Sequence, residues 1–359
     1  MVDLLDGCGR RVDHLRLSVT PACDLRCVYC RPRGEASATP HCGEDGGAAM
    51  QECGAGGSLP NYSQVSAGAA LLSRRSVMLT DDQRCDLVRY LYERHGLRQV
   101  RLTGGEPLMY PHLVGLVSEL RAAAPTITLA MTTNGTRLAE FAGSLGRAGL
   151  DRLNVSLDSL DAERYRRITG GRLADVLAGI ECAEAAGFPP PKINSVVLRG
   201  LNNDDAVDLA RWSLRRGCEI RFLEAMPIGP AAAANRARFV SAAEIRRMLE
   251  AAFRLTPLGR GRGETAMRFR ADDGRVSGVI GLIAPVTAPF CGDCRRIRVT
   301  ADGLLYPCLM DERHVNFHEA WTGGLFDECA AAELLTCALA EKSAQGPSRQ
   351  AAVMVRLGG

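Results

Sequence analysis

The stretch Leu15-Arg-Leu-Ser-Val-Thr-Pro-Ala-Cys23-Asp-Leu-Arg-Cys27-Val-Tyr-Cys30 decides how this chain folds and what it holds. It reads as a buried strand followed by a cysteine loop with C-x3-C-x2-C spacing. Three thiolates packed this tightly are one short of closing a tetrahedral metal site. They suit a cubic [4Fe–4S] cluster in which three irons take protein sulfur and the fourth stays open to a ligand. An open iron marks a reactive site, whereas a structural metal site is saturated. A zinc knuckle would need a fourth ligand close by. His14 precedes the array and His41 lies in an insertion, so neither completes it.

Working outward, six short apolar runs recur: Leu15–Val19, Val100–Thr103, Ile127–Thr132, Leu153–Leu157, Ile193–Leu198 and Ile220–Leu223. Helical stretches separate them at Thr80–His95, Pro111–Ala124, Arg137–Ala148, Leu173–Ala186 and Asp204–Arg216. Thr80 and Asp204 are expected N-caps, and Gly96, Gly149, Gly187 and Gly217 expected stops. Alternating strand and helix argues for a parallel α/β architecture with right-handed crossovers. Six units predict a partial (βα)6 TIM-type barrel, open on one side, with its chemistry at the carboxyl ends of the strands. The pattern breaks twice. Residues 34–73 are rich in Gly, Ala and Ser, a composition that predicts a disordered insertion. From residue 241 the text turns irregular and strand-like around a second cysteine array. The expected division is therefore a barrel over 1–240 and a C-terminal α+β domain over 241–359.

Composition narrows the function. A chain of 359 residues can bury a sizeable core, and a net charge of +3 argues against nucleic acid as a partner. No apolar run approaches the roughly twenty residues that span a bilayer, and the start lacks the apolar stretch of a secretory signal. Lys192 and Lys342 are the only lysines among 44 basic residues. Arginine suits phosphate contacts, although GC-rich coding gives the same bias. Of the 14 cysteines, six fall into two arrays. The rest (Cys8, Cys42, Cys53, Cys85, Cys182, Cys218, Cys329 and Cys337) have no ligand-like spacing and read as small hydrophobes or bystander thiols.

The remaining motifs follow strand ends. In Gly104-Gly105-Glu106-Pro107 the glycines permit close backbone approach, and Glu106 can accept from an ammonium group. Thr132-Thr-Asn134-Gly135 and Asn154-Val-Ser156-Leu-Asp158 place short polar side chains at the barrel mouth, with helix capping as the plainer reading. The second array, Cys291-x2-Cys294-x13-Cys308, again offers three thiolates. A zinc ribbon would need His314 as its fourth ligand; a second three-thiolate cluster with an open iron needs nothing more. Arg296 and Arg298 alternate on a predicted strand beside it, so they share one face and form a phosphate clamp. Solvated surface charge is the plain alternative.

The cysteine loop, the Gly-Gly-Glu and the strand-end motifs together resemble the radical S-adenosylmethionine (SAM) superfamily. Two three-cysteine arrays, Arg296-x-Arg298 and the final Gly358-Gly359 resemble one family within it, the GTP 3′,8-cyclase (molybdenum cofactor biosynthesis protein A) family, over nearly the whole chain. That resemblance implies the following assignments. Cys23, Cys27 and Cys30 hold the SAM cluster, and Tyr29, Gly105, Glu106, Ser156 and Met226 contact SAM. Arg16, Arg101, Thr132, Lys192, Arg296 and Arg298 contact GTP. Cys291, Cys294 and Cys308 hold a second [4Fe–4S] cluster that binds the purine. A 5′-deoxyadenosyl radical would abstract the ribose 3′ hydrogen, C3′ would attack C8 of guanine, and reduction and protonation would give 3′,8-cyclo-7,8-dihydro-GTP.

The same resemblance implies a one-electron donor such as flavodoxin or ferredoxin, a downstream cyclic pyranopterin monophosphate synthase, and a homodimer. It places the protein in the cytoplasm, or in the mitochondrial matrix of a eukaryote. Two positions in the cysteine loop depart from the pattern: Asp24 stands for the usual asparagine and Arg31 for the usual methionine. The run Ala231–Arg238 replaces a stretch that usually holds an aromatic residue. The competing readings are a radical SAM enzyme that modifies a peptide or small molecule with an auxiliary cluster, and a zinc-ribbon binding protein.

Overall fold

The structure is a computed structural model that describes residues 2–31, 77–340 and 342–343. The expected insertion at 34–73 and the terminal Gly358-Gly359 lie outside the described residues.

Six parallel strands stand where the apolar runs place them: β1 (His14–Ser18), β2 (Gln99–Thr103), β3 (Thr128–Thr133), β4 (Arg152–Ser156), β5 (Lys192–Val197) and β6 (Ile220–Glu224). The helices between them are α1 (Asp81–His95), α2 (Leu113–Ala123), α3 (Leu138–Arg147), α4 (Ala162–Thr169), α5 (Leu173–Ala185) and α6 (Ala206–Arg215). Thr80 caps α1 through a capping box with Gln83, and Gly96 ends it in the left-handed conformation. Asp204, the other expected cap, instead sits inside a 3₁₀ turn over Asn203–Asp205 that leads into α6. The short, charged α4 escaped the apolar pattern because only Tyr165, Ile168 and Thr169 are buried; Asp161 caps it.

Beyond residue 224 come α7 (Ala232–Ala237), α8 (Ala242–Glu250), β7 (Arg254–Gly259), β8 (Met267–Asp272), β9 (Ser277–Ile283), β10 (Arg296–Val299), β11 (Leu304–Tyr306), β12 (Val315–Asn316) and α9 (Glu328–Ala340). The boundary expected at 240 falls between α7 and α8, and the sheet continues across it. β9 extends the parallel set beside β6, and β10 does so beside β1. The strand order β12-β11-β10-β1-β2-β3-β4-β5-β6-β9-β8-β7 leaves β12 and β7 as separate edges, so the sheet is open. Barrel strands and C-terminal strands pack into one core. No helix among the described residues is long and apolar enough to cross a membrane.

The two faces of this sheet differ in chemistry. Leu15, Leu17, Val100, Leu102, Leu129, Met131, Leu153, Val155, Ile193, Ile220 and Phe222 are all buried in the core. Alternation then sends their neighbours to the other face. Cross-strand register lines up Arg298, Arg16, Arg101, Ala130 and Arg152 in one row there. Thr132, Asn154 and Lys192 form part of the next row, and Ser156, Asn194 and Arg221 part of another. A sheet that buries its apolar face on helices and presents arginines on its inner face leaves a polar interior.

Candidate functional site: two cysteine arrays and an arginine floor

The first array follows the carboxyl end of β1. Its loop is held by backbone bonds on both sides. Gly105 N–H donates to Thr20 O and Glu106 N–H to Ala22 O, both at 2.7 Å, while Arg26 and Val28 donate to the end of α4 at Thr169 and Ile168. A β-carbon on Gly105 would sit 2.1 Å from Ala22 O, so the glycine is there to let two backbones touch. Asp24 accepts from Asn134 Nδ2 (2.7 Å) and Thr136 Oγ1 (2.6 Å). The polar text after β3 is therefore a fastener for the cysteine loop; α3 has no side-chain cap.

Glu106 was expected to meet an ammonium group. It is 1% exposed, and its two oxygens accept from Thr133 Oγ1 (2.6 Å), Leu108 N–H (3.0 Å) and Asn134 N–H (2.7 Å). It joins the ends of β2 and β3, and burial pushes its carboxyl up to about 7 against the pull of those donors. Tyr29 donates to Asp158 Oδ2 at 2.7 Å, and Val196 N–H donates to Asp158 Oδ1 at 2.8 Å. Asp158 is buried just past β4, and burial raises it to about 6. Ser156 ends β4. Met226 follows β6, and its carbonyl accepts from Asn235 Nδ2 at 2.8 Å; the same amide group reaches Tyr29 O at 3.1 Å. Asn235 lies in the run where an aromatic was expected, and its part in the site carries no sequence signal.

The second array brackets β10 and β11. Cys291 and Cys294 precede β10, and Cys308 follows β11, which runs antiparallel to β10. All three therefore lie at the amino end of β1 and β10, whereas the first array lies past the carboxyl end of β1. The five residues of β1 between them span roughly 17 Å at 3.3 Å per residue.

All six cysteines are free thiols. Among the described residues no three ligand-type side chains converge closely enough for a single metal ion. A cubane distributes its three thiolates over separate irons, and the arrays fit that demand. Cys291 feels both Cys308 and Cys294, and Cys27 feels both Cys30 and Cys23. Burial raises Cys23 to about 11 and Cys27 and Cys30 above their ordinary value, a cost that bonding to iron would remove. At Cys294 burial pushes upward too, but Lys342 and Arg296 outweigh it and bring the thiol to about 7. His314 turns Nδ1 to Glu312 O at 2.9 Å and stacks on Tyr306, so it is engaged away from the array.

Between the arrays lies the arginine row. Burial, then Arg298, Arg101 and Arg296, holds Arg16 well below the usual arginine value. Burial and Arg221 lower Arg101 to about 10; burial and Arg296 do the same for Arg298. Arg101 Nη1 is buried without a partner, as is Asn194 Oδ1. Arg296 donates to Gly263 O (3.2 Å) and Cys294 Sγ (3.7 Å) and lies over the Phe290 ring. Lys192 pairs with Glu219 at 3.1 Å, and burial and Arg221 lower it. Thr132 sits opposite Asn154. Like charges gathered on one face, with Glu219 pairing only Lys192 and Arg221 among them, make a site for a polyanion. By register Arg152 belongs to this row and Arg221 to the row of Ser156 and Asn194, although nothing in their local sequence marks them.

Comparison with known proteins agrees with this geometry. Residues 17–213 match the radical SAM superfamily, and residues 218–347 match Molybdenum Cofactor Synthesis C. A GTP 3′,8-cyclase of Paenarthrobacter nicotinovorans is 38% identical over 91% of this chain and 86% of its own length. One of Geobacter sulfurreducens is 37% identical over 87% and 84%. Streptococcus suis SuiB, solved with S-adenosylmethionine, shares the fold at a TM-score of 0.55 and 13% identity, covering 94% of this chain and 73% of that one. The chain belongs to the GTP 3′,8-cyclase family of the radical SAM superfamily.

Proposed function

We propose that this protein converts GTP to 3′,8-cyclo-7,8-dihydro-GTP, the opening step of molybdenum cofactor biosynthesis, with two [4Fe–4S] clusters and SAM. Cys23, Cys27 and Cys30 hold the first cluster; Cys291, Cys294 and Cys308 hold the second. When bound, the first cluster and SAM supply the radical that removes a ribose hydrogen. Tyr29, Gly105, Ser156 and Met226 flank SAM, with Tyr29 fixed by Asp158. Glu106 serves that end as the brace beneath Gly105.

The carrying observation is the arginine row strung between the two arrays. Arg16, Arg101 and Arg298 bind the triphosphate, joined by Arg296, Lys192 and Thr132. A nucleotide bound there, with its base at the second array, can turn the C3′ side of its ribose toward the first. A peptide substrate would have no use for such a polycationic floor, which disfavours the peptide-modifying alternative.

An electron donor of the flavodoxin or ferredoxin type, a downstream cyclic pyranopterin monophosphate synthase, a homodimer and a cytoplasmic or mitochondrial-matrix setting complete the reading. In the test, anaerobically reconstituted protein holds about eight irons per chain, and the reduced protein makes 5′-deoxyadenosine from SAM only when GTP is present. Arg298→Ala weakens GTP binding and keeps both clusters. Zinc in one site, or unchanged GTP affinity in Arg298→Ala, would overturn the corresponding assignment.

A further inference from the structure

A turn near the start of the chain grips the end of α9 beside the second array. Asp6 accepts from Cys8 N–H and Arg10 N–H, each at 3.0 Å, and from Arg10 Nε at 2.7 Å. The Arg10 fork so held donates to Cys291 O, to Lys342 O (3.0 Å) and to Ser343 O (3.1 Å). Cys8 Sγ also donates to Lys342 O, at 3.4 Å. Gly7 N–H donates to Leu339 O, and a β-carbon on Gly7 would meet Ala340 O at 2.0 Å. One turn thus clasps a cysteine of the array and the segment carrying Lys342.

That clasp presses a charge inward. Lys342 is 4% exposed, and its Nζ donates to Arg296 O at 2.5 Å. Among the described residues it makes no ion pair with a carboxylate: Asp6 is the acidic group within electrostatic reach, and its oxygens are taken by Arg10 and Cys8. Cys294 and Cys308 are the other negative-going groups that Lys342 feels, and Arg10 is the cation it opposes. Burying an ammonium is costly, and methionine would fill the same space without that cost. A buried ammonium opposed by another cation earns its place when a stronger anion stands next to it. A three-thiolate [4Fe–4S] centre is such an anion, and reduction makes it more negative.

We infer that Lys342, held by the Asp6–Arg10 clasp, is a positioning residue that supplies a fixed positive charge to the second cluster and raises its reduction potential. The inference rests on the cofactor reading above and adds a residue to which that reading gives no role. The probe is an EPR-monitored redox titration of the reconstituted full chain, with the first cluster's signal identified by its change on adding SAM. Lys342→Met should shift the second cluster's midpoint potential to more negative values and leave the first unmoved, and Lys342→Arg should restore it. Equal second-cluster potentials in wild type and Lys342→Met overturn the inference. Loss of the second cluster in both variants overturns it too, because packing and not charge would then be the role. If Lys342→Met alone loses the cluster while Lys342→Arg keeps it at the wild-type potential, the charge is confirmed as the requirement. Wild-type protein without a second cluster would instead sink the cofactor reading, which iron counting reveals separately.

Discussion

Gly105→Ala should empty the first cluster site and spare the second. The added methyl would stand 2.1 Å from Ala22 O and 2.6 Å from both Ala22 C and Pro21 O. These neighbours are backbone and cannot swing aside. Ordinary contact begins at 3.4 Å, so the cysteine loop must retreat by about 1.3 Å, the difference between 3.4 and 2.1. The bonds Gly105 N–H to Thr20 O and Glu106 N–H to Ala22 O, now 2.7 Å, would then stretch to about 4 Å and break. Each is worth about 1 kcal/mol, and the overpacking adds about 1–3 kcal/mol, for a local loss of about 3–5 kcal/mol. The cysteines ride on the displaced segment. Iron per chain after anaerobic reconstitution should fall to about half of wild type, with the surviving EPR signal insensitive to SAM. Gly115→Ala is the control. Gly115 lies in α2, its β-carbon would meet nothing within 4 Å, and the change should be silent or mildly stabilising. Full iron content with a SAM-responsive signal in Gly105→Ala would refute the tight-approach reasoning.

Two further outcomes follow from the buried charges. Arg16 is half-buried beside Arg298, Arg101 and Arg296 and makes no hydrogen bond or ion pair among the described residues. Arg16→Leu should therefore stabilise the apoprotein, by about 1–3 kcal/mol, while weakening GTP binding about 10- to 100-fold; thermal melting and calorimetric titration read the two, and a lower melting temperature with unchanged GTP affinity would contradict both. Glu106 is raised from its ordinary 4.5 to about 7 by burial. The folded state therefore holds its proton more tightly than the unfolded chain. The resulting stability is fully present below pH 4.5 and lost as pH rises through 7, about 3 kcal/mol in all. Glu106→Gln should flatten that decline in urea titrations of the apoprotein; an unchanged slope between pH 5 and 8 would show that Glu106 is not its source.

Strand positions were legible because each strand reports locally on its own environment. Leu15, Leu17, Val100 and Leu102 must face the helices, and their polar neighbours must face inward, so position along the chain and face of the sheet come together. The two cysteine arrays were legible for a similar reason: ligand spacing is written within a few residues. What stayed hidden depends on partners far apart in the chain. Arg10 finds Lys342 across 332 positions, and Asn235 finds Tyr29 across 206. The extension of the sheet by β9 and β10 was equally silent, since pairing with β6 and β1 depends on edges created only by folding. The bracing by Glu106 was hidden because its three donors come from the end of β3 and the turn after β2.

A closed eight-stranded barrel fills its interior with layered apolar side chains. Here the inner face carries Arg16, Arg101 and Arg298 in one row that ends at the exposed Arg152, and the fold survives because its stability is lodged elsewhere, on the helix-facing side where Leu15, Leu17, Leu102 and Val155 lie. That division lets the inner face be chosen for function at the expense of stability. The guanidiniums repel one another, so on the proposed function a triphosphate would relieve an existing electrostatic cost as it binds. Register then converts charge into position. Arg16 lies two residues before the end of β1, Arg298 two residues into β10, and the two are cross-strand neighbours. A nucleotide anchored on that pair is fixed along the strand direction, and it is along that direction that the two arrays are separated. On the proposed function, the same strand pair that orders the phosphates would thereby set which part of the nucleotide each cluster meets.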